Sequence, residues 1–463
     1  MKKSLRMFNL KVLILFFAIL FAAVFGCKQG GVEDNPESTK RSYSAYWNSL
    51  DKHPTPEWYD NAKFGLFLHW GPYSAEGCGA HEFMKPALLT ADKFDPREWI
   101  DLAETAGMRY ITLTTKHGGG YCMFDTPHGR WNSVDSGPNR DLFGEFAKAC
   151  HERGMRFLAY YCKDDIFRPS SIIDRMHIED SSLFRKVVEN YKMQWVIDNW
   201  PQWLRDNLRT IVRKYEPDGF WFDGTNLNYQ YTGIAEVISW IYNNYPDMAL
   251  NDRVGSFTQR KVHGDFYTYE RGWIRPVHIL PHKWDRSTPM LGGGWSYDPD
   301  LTIEDLGEPH EILWDLVENV SLGGNYHMGI GPRADGSIPE YYQKRLRQIG
   351  RWFDVNGECI HNTRPWTWGY FREGENVRYT MSRDEKTVYA IFRNWPGSTL
   401  NLEYLHSSVA VVKEVRMLGV DKALDFGRTS QGGCAIEMPS PRPDIPHDIY
   451  VVRCSVTRDQ KRN

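Results

Sequence analysis

The chain has 463 residues and a formal net charge of −3, and it carries no basic stripe or long run of one sign, which argues against a nucleic-acid partner. The length suits one large domain plus a smaller one. Aromatic residues are prominent, with 18 Trp, 25 Tyr and 23 Phe; such rings stack on sugar faces but equally fill large cores, so they discriminate weakly.

The N-terminus reads as an export signal. A basic stretch, "MKKSLRMFNLKV", precedes a 13-residue apolar run, "LILFFAILFAAVF", and then Gly26-Cys27. The run suits a signal-peptide core and falls short of the ~20 residues of a spanning helix. "VFGC" resembles the lipobox of bacterial lipoproteins, although Phe25 fits that pattern imperfectly. This reading makes residues 1–26 the leader and Cys27 the lipidated first residue of an exported, membrane-anchored protein, periplasmic or at the cell surface. Residues 27–44 are polar and rich in breakers, as in a tether. The other cysteines, Cys78, Cys122, Cys150, Cys162, Cys359, Cys434 and Cys454, are odd in number and lack C-x-x-C spacing. They indicate neither a zinc site nor a regular disulfide framework, and read as small buried apolar residues.

Residues 45–362 alternate short apolar runs with amphipathic helical stretches. The runs are "KFGLFLHW" (63–70), "RYITLTTKH" (109–117), "RFLAYY" (156–161), "GFWFDG" (219–224), "MALNDR" (248–253), "DFYTYE" (265–270) and "NYHMGIGP" (325–332). Near-continuous apolar strands between helices predict a parallel sheet covered on both faces, and seven or eight such units predict a (β/α)8 TIM-like barrel. Residues 363–463 change texture to short alternating strands between turns, which predicts an antiparallel β-sandwich.

The strand ends carry the chemistry. Asp223-Gly224 alone is ordinary turn material. Yet His69, His117, Tyr161, Asp223, Arg253 and Glu270 all close apolar runs, and barrel strands converge at their C-terminal ends, where such folds build active sites. Two carboxylates in an aromatic, His- and Arg-lined mouth suit acetal hydrolysis, one attacking the anomeric carbon and the other serving as acid and then base. Asp223, short and well fixed at a strand end, suits the nucleophile, with a neighbouring donor such as Arg253 or a protonated His to hold it ionised. Glu270, flanked by Tyr267, Tyr269 and Trp273, suits the acid if its surroundings are dry.

Several segments in order resemble glycoside hydrolase family 29, the retaining α-L-fucosidases. They include "WYDNAKFGLFLHWGPYS", "LAETAGMRYITLTTKH", "WNSVDSGPNRDLFGEFAKACHERGMRFLAYY", "GFWFDG", "NDR", "DFYTYE", "GGGWSYDP" and "GIGPRADGSIPE". The resemblance implies Asp223 as nucleophile and Glu270 as general acid/base. It further implies that His69, His117, Tyr161, Trp221 and Arg253 hold the sugar hydroxyls, and that Trp295 forms a wall against the fucose methyl. Glu82 is a candidate pocket residue and Asp285 a fallback acid. The implied substrate is a fucosylated oligosaccharide or glycoconjugate, cleaved in exo fashion with no metal or organic cofactor.

Two departures stand out. Lys116-His117-Gly118-Gly119-Gly120-Tyr121 replaces the family's usual Lys-His-His-Asp-Gly-Phe, removing a donor and some bulk. His327 stands where the family usually has Leu-Leu-Asn and is a candidate compensating polar group. These departures keep two alternatives open: a retaining glycosidase for another sugar, such as an α-L-galactoside, or a degraded site that only binds carbohydrate.

Overall fold

Eight strands, Phe64–Leu68 (β1), Tyr110–Lys116 (β2), Arg156–Cys162 (β3), Gly219–Asp223 (β4), Ala249–Leu250 (β5), Tyr267–Glu270 (β6), Trp284–Pro289 (β7) and Asn325–Ile330 (β8), form one parallel sheet. Its order is β5-β4-β3-β2-β1-β8-β7-β6. The edges meet through a parallel bridge between Asn251 and Phe266 and a bond of 2.7 Å from the Asp265 N–H to the Leu250 carbonyl. This computed structural model describes residues 42–75, 85–164, 166–167, 182–224, 232–254 and 263–458. The expected leader, Cys27, most of the tether, Cys78 and Glu82 lie outside the described residues.

Strand alternation divides the apolar side chains into two cores. Phe67, Tyr110, Leu158, Tyr160, Cys162, Trp221, Ala249 and Phe266 fill the barrel. Leu66, Ile111, Ala159, Tyr161, Phe220 and Phe222 face the surrounding helices. The helix Pro96–Thr105 starts where the Asp95 carboxylate accepts the Arg97 N–H, with Pro96 in the first turn, where its missing N–H costs nothing. The helix Leu142–Arg153 is capped by Asp141 and ends at left-handed Gly154.

β7 departs from the sequence reading, which found no apolar run at "WDRSTP". Its inward residues are Asp285 and Ser287, both buried and bonded to each other at 3.1 Å. An interior polar pair hides the strand from a hydrophobicity pattern. No regular helix follows β6; residues 271–283 cross directly to β7. Arg275 on this crossover pairs with Asp315 at 2.6 Å and with Glu318, both on the helix Pro309–Ser321.

After the helix Glu340–Asn356 the chain turns antiparallel. Thr363–Pro365 (β9), Arg372–Glu373 (β10), Val377–Ser382 (β11), Thr387–Arg393 (β12), Ala410–Met417 (β14) and Ile449–Arg458 (β17) build one sheet. Thr399–Leu402 (β13), Phe426–Arg428 (β15) and Cys434–Glu437 (β16) build a second. Tyr379, Ala390, Val452, Leu402 and Ile436 share one core between the two sheets, which makes a β-sandwich. The six described cysteines are buried, and no disulfide joins any two of them.

Candidate active site

The mouth is built where β1 to β6 end. In β4, Trp221 and Asp223 lie on the inward face while Phe220 and Phe222 pack outward. Asp223 is the first residue of that inward row beyond the packed interior, with its side chain 29% exposed. Its Oδ1 accepts from the Arg253 guanidinium at 2.5 Å, and its Oδ2 accepts from the Tyr160 hydroxyl at 2.8 Å. Burial pushes the Asp223 carboxyl up, but Arg253, His117, the Tyr160 hydroxyl and the Gly224 N–H outweigh it and hold the group well below the usual carboxylate range.

Arg253 sits in the short turn Asp252–Val254 after β5 and is only 4% exposed. Its second terminal nitrogen donates to Glu270 Oε2 at 2.5 Å, and its guanidinium lies 4.8 Å from the Trp221 ring centre. One planar group therefore bonds both carboxylates. Covalent geometry keeps the two accepting oxygens within about 7 Å of each other, which admits the ~5 Å spacing of retaining glycosidases. The Glu270 surroundings correct the expectation of a dry aromatic niche. Its side chain is 30% exposed and bonded to a cation.

The histidines divide by height in the barrel. His69 is buried with Nδ1 unpartnered among the described residues, and its ring meets those of Tyr160 at 5.3 Å and Trp295 at 4.9 Å. Burial first, and then His117 and His327, push its pKa well down, so the ring is neutral. His117 reaches the mouth because the β2–β3 register slips between Thr114 and Lys116. Such a bulge re-aims the residues that follow it. The His117 ring stacks on Tyr160 at 5.3 Å, and its Nδ1 lies 2.7 Å from the Gly118 N–H.

Four expectations need correction. Tyr161 does not face the mouth: it points into the helical layer, where Asn207 donates to its hydroxyl at 3.1 Å. The tyrosine at Asp223 is Tyr160, because side chains alternate along β3 and the last aromatic of the run has the wrong parity. Trp221 is a floor rather than a hydroxyl partner, since its indole N–H donates to Asp285 Oδ2 at 3.3 Å. Asp285 is fully buried near the start of β7, beside Tyr59 and Ser287, and out of reach of a leaving group. His327 lies a layer below the mouth, stacked at 4.6 Å on the Phe67 ring that separates it from His69.

Trp295 packs against Phe67 and His69. Gly329 on β8 makes room for it, because a Cβ there would come within 2.8 Å of the Trp295 ring. At the glycine run, the Gly118 carbonyl accepts from the Ile166 N–H, and a Cβ on Gly120 would lie 2.8 Å from the Phe167 ring. Two residues escaped the sequence reading. Tyr160 was findable from the parity of Trp221 and Asp223. Lys163 gave no signal; it is buried, its ammonium bonds the Arg253 carbonyl, and its N–H donates to the Asp223 carbonyl at 2.9 Å.

A parallel (β/α)8 barrel that seats a carboxylate pair on one guanidinium among aromatic rings defines a glycoside hydrolase. The family model for alpha-L-fucosidase matches residues 32–88 and 82–358, and that for the alpha-L-fucosidase C-terminal domain matches 373–452. The tissue alpha-L-fucosidase of Homo sapiens is 33% identical over 438 residues, covering 87% of this chain and 89% of that protein. The plasma enzyme of Rattus norvegicus is 34% identical over 435 residues, covering 87% and 91%. Thermotoga maritima alpha-fucosidase, solved with a mechanism based inhibitor, superposes with a TM-score of 0.72 at 28% identity, covering 89% of this chain and all of that one. The chain belongs to the alpha-L-fucosidase family.

Proposed function

We propose that this protein is an exo-acting retaining α-L-fucosidase in which Asp223 is the nucleophile and Glu270 the general acid/base. The observation that carries this reading is the single guanidinium of Arg253 bonded to both carboxylates. Asp223, kept ionised by Arg253 and Tyr160, attacks the anomeric carbon while Glu270 gives its proton to the departing oxygen. Glu270 then takes a proton from water, and that water opens the fucosyl–Asp223 ester with net retention. His69 and His117 offer ring nitrogens to sugar hydroxyls, and Trp295 offers an apolar face to the C6 methyl. The relatives support the sugar: one Thermotoga maritima alpha-fucosidase structure, 26% identical, holds fucose. The substrate is then a terminal α-L-fucosyl unit on an oligosaccharide or glycoconjugate. From its N-terminal sequence alone, we also place the enzyme outside the cytoplasm, anchored by lipid at Cys27.

The test is Asp223→Gly on an activated aryl α-L-fucoside. Turnover falls by at least about 10³-fold, and azide restores it with a β-fucosyl azide as product. Unrescued activity, or sugar binding with wild-type turnover in the variant, contradicts the assignment.

A further inference from the structure

Glu270 is followed at once by an exposed aromatic residue that the chemistry above does not use. The chain turns back after β6, with the Trp273 N–H donating to the Glu270 carbonyl at 3.0 Å. A four-residue turn of this kind holds its ends within ~7 Å. Three further bonds fix it. Arg286 donates to the Glu270 carbonyl at 3.1 Å and to the Trp273 carbonyl at 2.7 Å. Arg271 donates to the Gly293 carbonyl at 3.2 Å, which ties the turn to the loop leading to Trp295. Trp273 is nevertheless 44% exposed, and the neighbouring Ile274 is 88% exposed.

A large aromatic residue that stays partly exposed beside the exposed Ile274, on a turn whose backbone is fixed, marks a contact surface, and its position says what makes the contact. The acid must stand beside the glycosidic oxygen, so whatever that oxygen carries leaves past Glu270 and over the turn that follows it. We propose that Trp273 is a stacking platform for the leaving group, and that it recognises the pyranose ring to which the fucosyl unit is attached. The proposal rests on the fucosidase reading and extends it to the other side of the scissile bond. Aromatic faces bind the C–H face of a pyranose irrespective of the linkage position, so the platform selects sugar over small leaving groups rather than one linkage over another.

The experiment compares kcat/KM of wild type, Trp273→Ala and Trp273→Phe on methyl α-L-fucoside, whose leaving alcohol needs Glu270 as much as a sugar does but carries no ring, and on a fucosylated oligosaccharide. Trp273→Ala should stay within about 2-fold of wild type on the methyl glycoside and lose about 10-fold or more on the oligosaccharide. Trp273→Phe should recover most of that loss. Equal losses on both substrates mean that the residue only supports the turn and overturn the proposal, as does an unchanged oligosaccharide rate. A fall in molecular mass of Trp273→Ala in solution with unchanged oligosaccharide kinetics assigns Trp273 and Ile274 to a contact between copies, which also overturns it. A wild type inactive on both substrates refutes the fucosidase reading itself, and the proposal with it.

Discussion

Asp223 is held from two sides, and each side makes its own prediction. Removing the Tyr160 hydroxyl takes away one group that lowers the Asp223 pKa, so the acid limb of kcat/KM moves to higher pH in Tyr160→Phe. A bond to a charged group is worth ~1.5–3 kcal/mol, so kcat/KM itself should drop about 10- to 100-fold. Tyr161→Phe is the control. It removes the hydroxyl that accepts from Asn207 in the helical layer, so stability falls by about 1 kcal/mol while kcat/KM stays within about 2-fold. Reversal of that pattern in a pH–rate study would return Tyr161 to the mouth. Arg253→Met should do more, since it leaves two neighbouring carboxylates without their shared cation. Asp223 loses the strongest of the groups that lower its pKa, so the acid limb shifts further to higher pH than in Tyr160→Phe. Asp223, Glu270 and Arg253 were legible because a charged residue closing an apolar run is conspicuous. Tyr160 was hidden because both tyrosines of "AYYC" are apolar enough for either face, so parity decides and composition does not. Asp285 and His327 misled because a polar residue on a barrel strand looks the same in sequence whether it lines the mouth or the sealed interior.

The elements that position the site depend on close backbone approach. Gly219 opens β4 opposite Ala249 of β5, and a Cβ there would lie 2.2 Å from the Ala249 carbonyl oxygen. Neither atom is on a flexible side chain, so the strands must separate. Gly219→Ala should therefore cost about 3 kcal/mol of stability, read as a lowered urea midpoint. It should also reduce kcat, because β4 carries Asp223 and β5 leads into the Arg253 turn. An unchanged midpoint would show that the β4–β5 seam yields. The neighbouring seam between β5 and β6 is where the sequence was least informative. β5 has two residues, and the barrel closes through a bridge and side-chain bonds such as that from the Leu250 N–H to Asp265 Oδ2 at 2.8 Å. The longer strands β1 to β3 and their helices were legible, since apolar runs of five to seven residues and amphipathic periods survive without tertiary help. β7 and the irregular crossover before it were not, because their order comes from Asp285, Ser287 and Arg275 meeting distant partners.

At the scale of the whole molecule, the β-sandwich clasps the barrel at the end away from the mouth. Arg364 reaches Asp60 at 3.2 Å and Arg378 reaches Glu318 at 2.6 Å, while the Trp352 indole donates to the Ile449 carbonyl at 2.9 Å. Beside these contacts lies a cleft of about 540 Å³ lined by Arg109, Asp354, Glu358 and His361, among others. The His361 ring stands between two carbonyls, with Nδ1 2.8 Å from Ala62 O and Nε2 2.9 Å from Gly107 O. A neutral imidazole can donate to one of them only. Burial first, and Arg109 next, nevertheless keep the ring from charging and push its pKa down to about 4. The unfolded chain, with an ordinary value of ~6.5, binds that proton first. Stability therefore falls as pH drops from about 6.5 to about 4, by up to about 3 kcal/mol from this group. His361→Gln keeps one amide donor and removes the titration. It should be less stable than wild type by about 1 kcal/mol at pH 7, and the gap should close or reverse by pH 4.5. Using the difference between the two proteins in urea melts cancels the carboxylates common to both. Parallel stability curves across that range would mean that the ring is already charged in the fold and bonds both carbonyls. Because this junction is remote from Asp223, kcat/KM of His361→Gln at pH 7 should match wild type, which separates a loosened clasp from a damaged site.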